Sequence, residues 1–228
     1  MQGESSVRAG LRRGAPLVLP TLALGVSFGV TARPVIGVAA PITMSVLVFS
    51  GGAQFAALSV LSAGGGLVSA TVAAVLMNAR WLPMSFALAP SLTGRPGKRA
   101  LEAQAIVDAS FAMAGRGDGT FDRGLLIGAT LPQASAWITG TIAGVFASGL
   151  LHNPDALGLD AVFPAFYLAL LAEEIRARTE PHELRTVGTV IALATAITLG
   201  LMLFSAPGLP TIAASSAALA GLRTWGSR

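Results

Sequence analysis

The sequence predicts an all-α polytopic membrane protein of about seven transmembrane helices with broken segments, and three observations predict it. Of its 228 residues 53% are hydrophobic and only 11% charged, with a mean hydropathy of +0.70. A soluble domain carries about 25% charged residues and needs a polar skin that this chain lacks. The run 67–90, LVSATVAAVLMNARWLPMSFALAP, is long enough to span a bilayer, which takes about 20 mostly apolar residues. Glycine (27 residues) and proline (13) are abundant, and membrane helices tolerate both better than soluble helices do.

The elements follow in order. Residues 1–14 are basic and precede an apolar stretch, as in a signal peptide. No small-residue cleavage site leads into a soluble domain, so 15–32 is read as a retained first helix that ends at Arg33-Pro34. The second span, 38–61, has Phe49-Ser50-Gly51-Gly52-Ala53-Gln54-Phe55 at its centre. A glycine pair there weakens the helix, and the backbone groups it frees need protein or cavity partners. A tight turn at 62–66 leads into the third span, 67–90, with Asn78 and Arg80 near its middle and Pro83 as a kink. A basic loop, 91–99, precedes a helical segment at 100–115 that is too polar for a plain span and too apolar for a plain loop. GRGDGTFD at 115–122 is a break. The fourth span, 124–150, contains Pro132-Gln133 and Trp137. The fifth, 159–172, is short, starts at Asp160 and is interrupted by Pro164. A charged loop at 173–185 separates it from two further apolar runs, 186–205 and 208–222.

The two halves echo each other weakly. Arg13-Gly14 through Pro20 matches Arg123-Gly124 through Pro132; Val48-Phe49-Ser50 matches Val162-Phe163-Pro164; and ALAPSL at 87–92 matches FSAPGLP at 204–210. This gives a single transmembrane domain over 1–228: repeat one at about 13–92, a linker helix at about 100–115, and repeat two at about 123–210. Repeats with broken helices in matching places point to a transporter whose site lies at the repeat interface. If 100–115 does not cross the membrane, the repeats are inverted; if it does, the amino terminus lies inside. Lysine and arginine counts fit both arrangements.

Several residues stand out chemically. An arginine near mid-span costs about 2.5–3.5 kcal/mol on insertion scales, so Arg80 needs a partner, a cavity or a task. It either pairs with a carboxylate, from a substrate or from Asp108, or caps broken-helix carbonyls. Gly51, Gly52 and Gln54 either form an unwound substrate-binding segment with Asn78 or allow close packing of small residues. Trp81 reads as an interface anchor or packing residue. Asp108 is a proton-coupling candidate if it sits at membrane depth and an ordinary surface carboxylate if it does not. Phe163-Pro164 and Pro132-Gln133 either line a pathway or kink their helices. Glu173 and Glu174 read as a solvated cluster with Arg176 and Arg178.

Other chemistry is excluded more readily. There is no cysteine and there are only two histidines, both in expected loops, so no thiol chemistry or metal-ligand cluster is expected, and no cofactor. No phosphate-binding loop or nucleophile elbow is present, which argues against an enzyme. The high pI, about 11, comes from cations spread over short loops. They serve orientation and lipid headgroup contact better than nucleic acid binding.

VFSGGAQFAAL at 48–58, NARWLPMSFALAP at 78–90, DASFAMA at 108–114 and GLDAVFPAFYLALL at 158–171 together resemble the AzlC family, the large subunits of bacterial branched-chain amino acid exporters. The resemblance implies a multi-pass protein of the bacterial inner membrane. It implies export of leucine, isoleucine and valine, often with methionine, a small AzlD-type membrane partner, and a proton-linked energy source. Two positions depart from the family pattern: Trp81 stands where histidine is usual and Ala109 where glutamate is usual. The substrate site expected from the residues and the resemblance uses Gly51, Gly52, Gln54, Asn78, Arg80, Phe163 and Pro164. A non-transporting structural or assembly subunit, or a channel, is the competing expectation.

Overall fold

The computed structural model describes residues 2–79, 81–116, 118–149, 168, 171–172, 175–176, 181–204, 213 and 217. Its elements are helical, apart from one isolated bridge between Gly115 and Phe121. The helices are α1 (Gln2–Gly14), α2 (Val18–Ile36), α3 (Ala39–Leu47), α4 (Gly51–Ser62), α5 (Leu67–Asn78), α6 (Trp81–Leu88), α7 (Pro96–Ala103), α8 (Asp108–Ala114), α9 (Arg123–Ser148) and α10 (Pro181–Met202). Two helical stretches among the described residues, Ser6–Ile36 and Leu184–Met202, are long and apolar enough to cross a membrane, and α5 with α6 makes a third if counted as one broken span. The chain packs as two compact units, 1–55 with 78–160 and 56–77 with 161–228. The first unit therefore holds the opening helix of both proposed repeats. In the second, Gly64 has φ +80° and Gly65 donates to the Val60 carbonyl at 2.9 Å, closing the turn after α4.

The first unit is built on one long contact. A single turn of 3-10 helix with Pro16 joins α1 to α2, so that Ser6–Ile36 runs as one rod of 31 residues. That rod lies along α9. Gly10 faces Leu125 and Ala129, Gly14 faces Ala129 and Pro132, Gly25 faces Trp137 and Thr141, and Gly29 faces Thr141 and Val145. The numbers rise together, so the two rods run parallel. A Cβ on Gly25 would lie 2.6 Å from the Trp137 carbonyl oxygen, and Gly140 and Gly144 are equally tight against Leu22 and Val26. Small residues here let the backbones meet, which is how helices associate where lipid removes the hydrophobic drive.

Parallel neighbours align their dipoles unfavourably, and charge at each end offsets this. Asp122 caps α9: its carboxylate accepts from the backbone N–H of Leu125 at 3.0 Å, from the Ser6 hydroxyl and from Arg116 at 2.9 Å. At the other end Arg33 donates to the Val145 carbonyl at 2.7 Å, covering the last turn of α9. Between Arg13 and Arg33, residues 14–32 carry no charge and extend about 28 Å, close to the thickness of a hydrocarbon core. Leu19, Leu131 and Phe146 are exposed along this length, a surface suited to lipid.

Segment 100–115 departs from the linker helix expected there. It is two short helices that enter and leave at the Asp122 end of α9. Glu102 on α7 forms a two-pronged pair with Arg123, one arm at 2.7 Å. The Ala105 carbonyl then accepts from Thr130 at 2.7 Å, roughly 10 Å further along α9. Ser110 on α8 meets Thr130 and Gln133, and the Ala114 carbonyl accepts from the Asp122 backbone at 2.8 Å. The chain breaks at 104–107 because a continuous helix cannot both enter and return. Leu88, Leu92, Ile106, Ala114 and Leu126 form the apolar core under this hairpin.

The segment enters and leaves at one end of α9, and α9 runs parallel to α2. A parallel pair departs from the antiparallel pair on which inverted repeats would open. Pro132, expected as a kink candidate, lies inside an unbroken α9.

Two predictions follow from these ends. Arg8, Arg12 and Arg13, the loop cations Arg95, Lys98 and Arg99, and Arg116 and Arg123 all gather at the Asp122 end. Arg33 is the cation at the other end among the described residues of this unit. The positive-inside bias therefore places the Asp122 end in the cytoplasm. Because the chain has no cysteine, single Thr120→Cys and Val38→Cys variants give clean labels. A membrane-impermeant maleimide added to intact cells should modify Val38→Cys and spare Thr120→Cys, and the reverse pattern would refute the orientation. The second concerns Asp122, whose carboxyl is lowered from 3.8 to about 2, first by the Ser6 hydroxyl, then by the Leu125 amide and Arg116, against a desolvation that raises it. A depressed carboxyl stabilises the fold above its ordinary value and loses that contribution as the pH falls from about 4 towards 2. Thermal unfolding in detergent should show this acid-side loss, and Asp122→Asn should flatten it.

Candidate functional site

Midway along the uncharged length, four polar side chains close on one another. Trp137 Nε1 donates to Gln54 Oε1 at 2.9 Å and lies 3.1 Å from Ser45 Oγ. Gln54 Nε2 donates to Ser45 Oγ at 3.0 Å, and the hydroxyls of Ser45 and Thr141 are 2.9 Å apart. Thr141 gives its own proton to the Trp137 carbonyl at 2.9 Å, so Ser45 is the donor to Thr141. The tryptophan N–H can only donate, which fixes the Gln54 amide with its oxygen towards the indole. Ser45, Gln54 and Thr141 are fully buried, and Trp137 nearly so. Phe28 stacks on Trp137 with ring centroids 6.0 Å apart and meets Phe55 edge-on at 5.4 Å, completing an aromatic cage.

This network holds a helix break in place. Helix α3 stops at Leu47, Phe49 takes φ +39°, and α4 starts at Gly51. A positive φ is strained for a residue with a bulky side chain, and such strain persists only where the surroundings fix it. Ser50 is the amino-terminal cap of α4. Its hydroxyl lies 3.4 Å from the Ala53 N–H, and its carbonyl accepts from the Gln54 N–H at 2.9 Å. Its hydroxyl also donates to Asn78 Oδ1 at 2.7 Å. Asn78 is the last residue of α5, so two helix interruptions are tied together by one hydrogen bond.

The expected site residues fall into three groups. Asn78 is brought to the break, where its partner is Ser50, a residue outside the expected site. Gly51 and Gly52 do not form an unwound segment; they make the first turn of α4, and the opened backbone lies one step earlier, at Phe49-Ser50. The glycine at 51 serves approach instead, since a Cβ there would lie 2.8 Å from the Trp137 ring. Gln54 is in the cluster, but both ends of its amide are occupied by Trp137 and Ser45. Pro83 is the third residue of α6, in the first turn after the α5–α6 interruption. Arg80, Phe163 and Pro164 lie outside the described residues.

Asp108 stands apart. It is exposed on the first turn of α8, beside the hairpin's own polar cluster. There Thr130 lies 2.7 Å from Ser110, and Gln133 Nε2 donates to Ser110 at 3.2 Å and to the Ala129 carbonyl at 2.8 Å. Thr130 and Trp137 are seven residues apart on α9, about 10 Å. Ser45, Thr141 and Thr130 were not singled out from the sequence; the available signal was hydroxyl and amide groups on otherwise apolar helices.

Residues 16–151, from α2 through α9, match the family described as AzlC protein. The chain belongs to the AzlC family. Every side chain of both clusters lies inside the matched region. Among its relatives are an uncharacterized membrane protein of Helicobacter pylori (26% identical; 66% of this chain and 66% of the relative covered) and the inner membrane protein YgaZ of Escherichia coli (26%; 90% and 85%). A third is the branched-chain amino acid transport protein AzlC of Bacillus subtilis (25%; 93% and 86%). No solved structure matches the chain. Membership in this family makes the polar cluster part of a membrane protein's interior, where unmet hydrogen bonds are costly. Gln54→Leu keeps the volume but strands the Ser45 and Trp137 partners, and should lower stability by about 1–3 kcal/mol. Thermal unfolding in detergent measures this; wild-type stability would mean that the network holds nothing.

Proposed function

We propose that this chain exports branched-chain amino acids (leucine, isoleucine, valine and also methionine) across the bacterial inner membrane as the large subunit of a two-component exporter, with a small AzlD-type membrane protein as partner. The observation that carries the reading is the pair of helix interruptions joined by Ser50 and Asn78 midway along the apolar length of an AzlC-family chain. Broken helices supply backbone groups and helix ends that can hold the charged groups of an amino acid, while apolar walls receive its side chain. Val48 and Phe55 flank the break and suit a branched aliphatic group.

In this reading Asn78, Ser50 and Arg80 face the substrate's polar end, with Arg80, two residues past Asn78, as the counter-ion of the carboxylate. Gly51, Gly52 and Gln54 hold the break open and in register. Phe163 and Pro164 contribute from the matching segment of the second repeat. Proton coupling at Asp108 is the part of the proposal supported by carboxylate chemistry alone, since the first unit leaves that residue exposed. Trp81 and Ala109, in place of the usual histidine and glutamate, are where this chain would differ in coupling or substrate range.

A second reading, a structural or assembly subunit without a pathway of its own, draws on the closed Ser45–Gln54–Trp137–Thr141 network, which is self-satisfied and fully buried. One experiment separates the two. Cells loaded with labelled leucine and expressing the chain together with a neighbouring small membrane subunit should export faster than cells expressing either alone. Arg80→Ala should abolish that export with the protein still inserted, and Arg80→Lys should restore little because the planar two-pronged donor is lost. Asn78→Ala should slow it by about fivefold, the worth of one hydrogen bond. Undiminished export by inserted Arg80→Ala would remove Arg80 from the site, and no export by any combination would leave the assembly reading.

A further inference from the structure

We propose that the first unit carries a binding groove for one anionic phospholipid at its basic end, between the end of α6 and α7. The groove has a volume of about 310 Å³ and is lined by Ser85, Ala89, Leu92, Arg99, Ala103 and Ile106. Its wall is apolar apart from the serine and the arginine. Arg99 is the cation that lines it, and Arg95 and Lys98, both exposed, stand within four residues of Arg99 in sequence. Glu102 pairs with both arms of Arg123 and with Lys98 at 3.9 Å, and none of these three lines the groove. Arg99 uses one N–H on the Ala89 carbonyl at 3.2 Å, which fixes the guanidinium at the groove and leaves its other donors available.

The wall and the charge together select the occupant: an acyl chain suits the apolar wall and an anionic headgroup suits Arg99. Arg99 then meets a phosphate rather than the neutral face of a peptide, and basic pockets between membrane helices are where anionic headgroups dock. The depth agrees, because Leu92 and Ile106 pack with Leu126, one turn inside the Asp122 cap. That is the end where the arginines of α1 also gather, as expected for a headgroup level on the cytoplasmic side.

The test uses the full chain reconstituted in vesicles of phosphatidylcholine mixed with phosphatidylglycerol. Thr93→Cys, exposed beside Leu92, carries a fluorophore as the single thiol in the molecule. Brominated phosphatidylglycerol should quench it at lower mole fraction than brominated phosphatidylcholine of the same chain length. Arg95→Gln with Lys98→Gln should reduce that preference by about fivefold per cation removed. Ala103→Phe fills the groove and should abolish the preferential quenching; Ala100→Leu, at its rim, provides a milder version should the larger residue fail to fold. Equal quenching by the two lipids in the unmodified chain overturns the proposal. So does a preference that survives both groove-filling changes, because the lipid would then be held only at the surface. Absence of quenching by either lipid also overturns it, since the groove would be covered by protein.

Discussion

The backbone contact between the first helical rod and α9 is the constraint on which the first unit depends. Two parallel helices can lie this close only where neither presents a side chain, and Gly25, Gly29, Gly140 and Gly144 supply that seam. Close approach fixes the register, and register places the ends. Ser6 arrives at Asp122 and Arg33 arrives at the carbonyl of Val145. A shift of one turn, about 5.4 Å, would leave the α9 carboxylate cap without its hydroxyl donor and the last carbonyls without their cation. The polar ends therefore lock the seam that brought them together.

Everything else in the unit hangs on the faces of α9 that the rod leaves open. The α7–α8 hairpin is held by Arg123, Thr130 and Gln133, and the α3–α4 break by Trp137 and Thr141. Both devices answer the same difficulty. A helix that stops within an apolar layer exposes N–H and C=O groups that lipid cannot satisfy, and only protein groups can meet them. Thr130 accordingly meets the Ala105 carbonyl at the turn of one hairpin, and Ser50 caps α4 at the other break. Tryptophan at 137 suits its position because it combines a large apolar face, stacked on Phe28, with one donor that finds Gln54.

The sequence made the class, the apolar lengths and the places of interruption legible. Asn78 near the middle of its run and the glycines after Ser50 marked both breaks to within a few residues. What they did not reveal is which side of Ser50 opens, because a glycine pair reads as weakness whether it ends a helix or begins one. The Gly-x-x-x-Gly spacings at 10–14, 25–29, 124–128 and 140–144 carried the helix seam in plain view, but spacing alone does not tell which pairs face each other or in which direction. The α7–α8 hairpin was ambiguous for a physical reason: Ser110 and Ile106 face α9 while Asp108 and Gln104 face outward, so its average polarity is that of neither a span nor a loop. Contacts such as Gln54 to Trp137, 83 residues apart, have no local signature at all.

The same geometry says where the unit is stiff and where it can give. Shifting the start of α4 against α9 would break the bonds of Gln54 and Ser45 to Trp137 and Thr141 together, all of them buried, so the rod, α9 and the α3–α4 break behave as one body. Asn78 is attached to that body at Ser50 by one hydrogen bond, worth about 1 kcal/mol net. Two helix ends joined so lightly beside a body joined so firmly form a natural place for a two-state element, because switching needs a weak contact bordered by rigid ones.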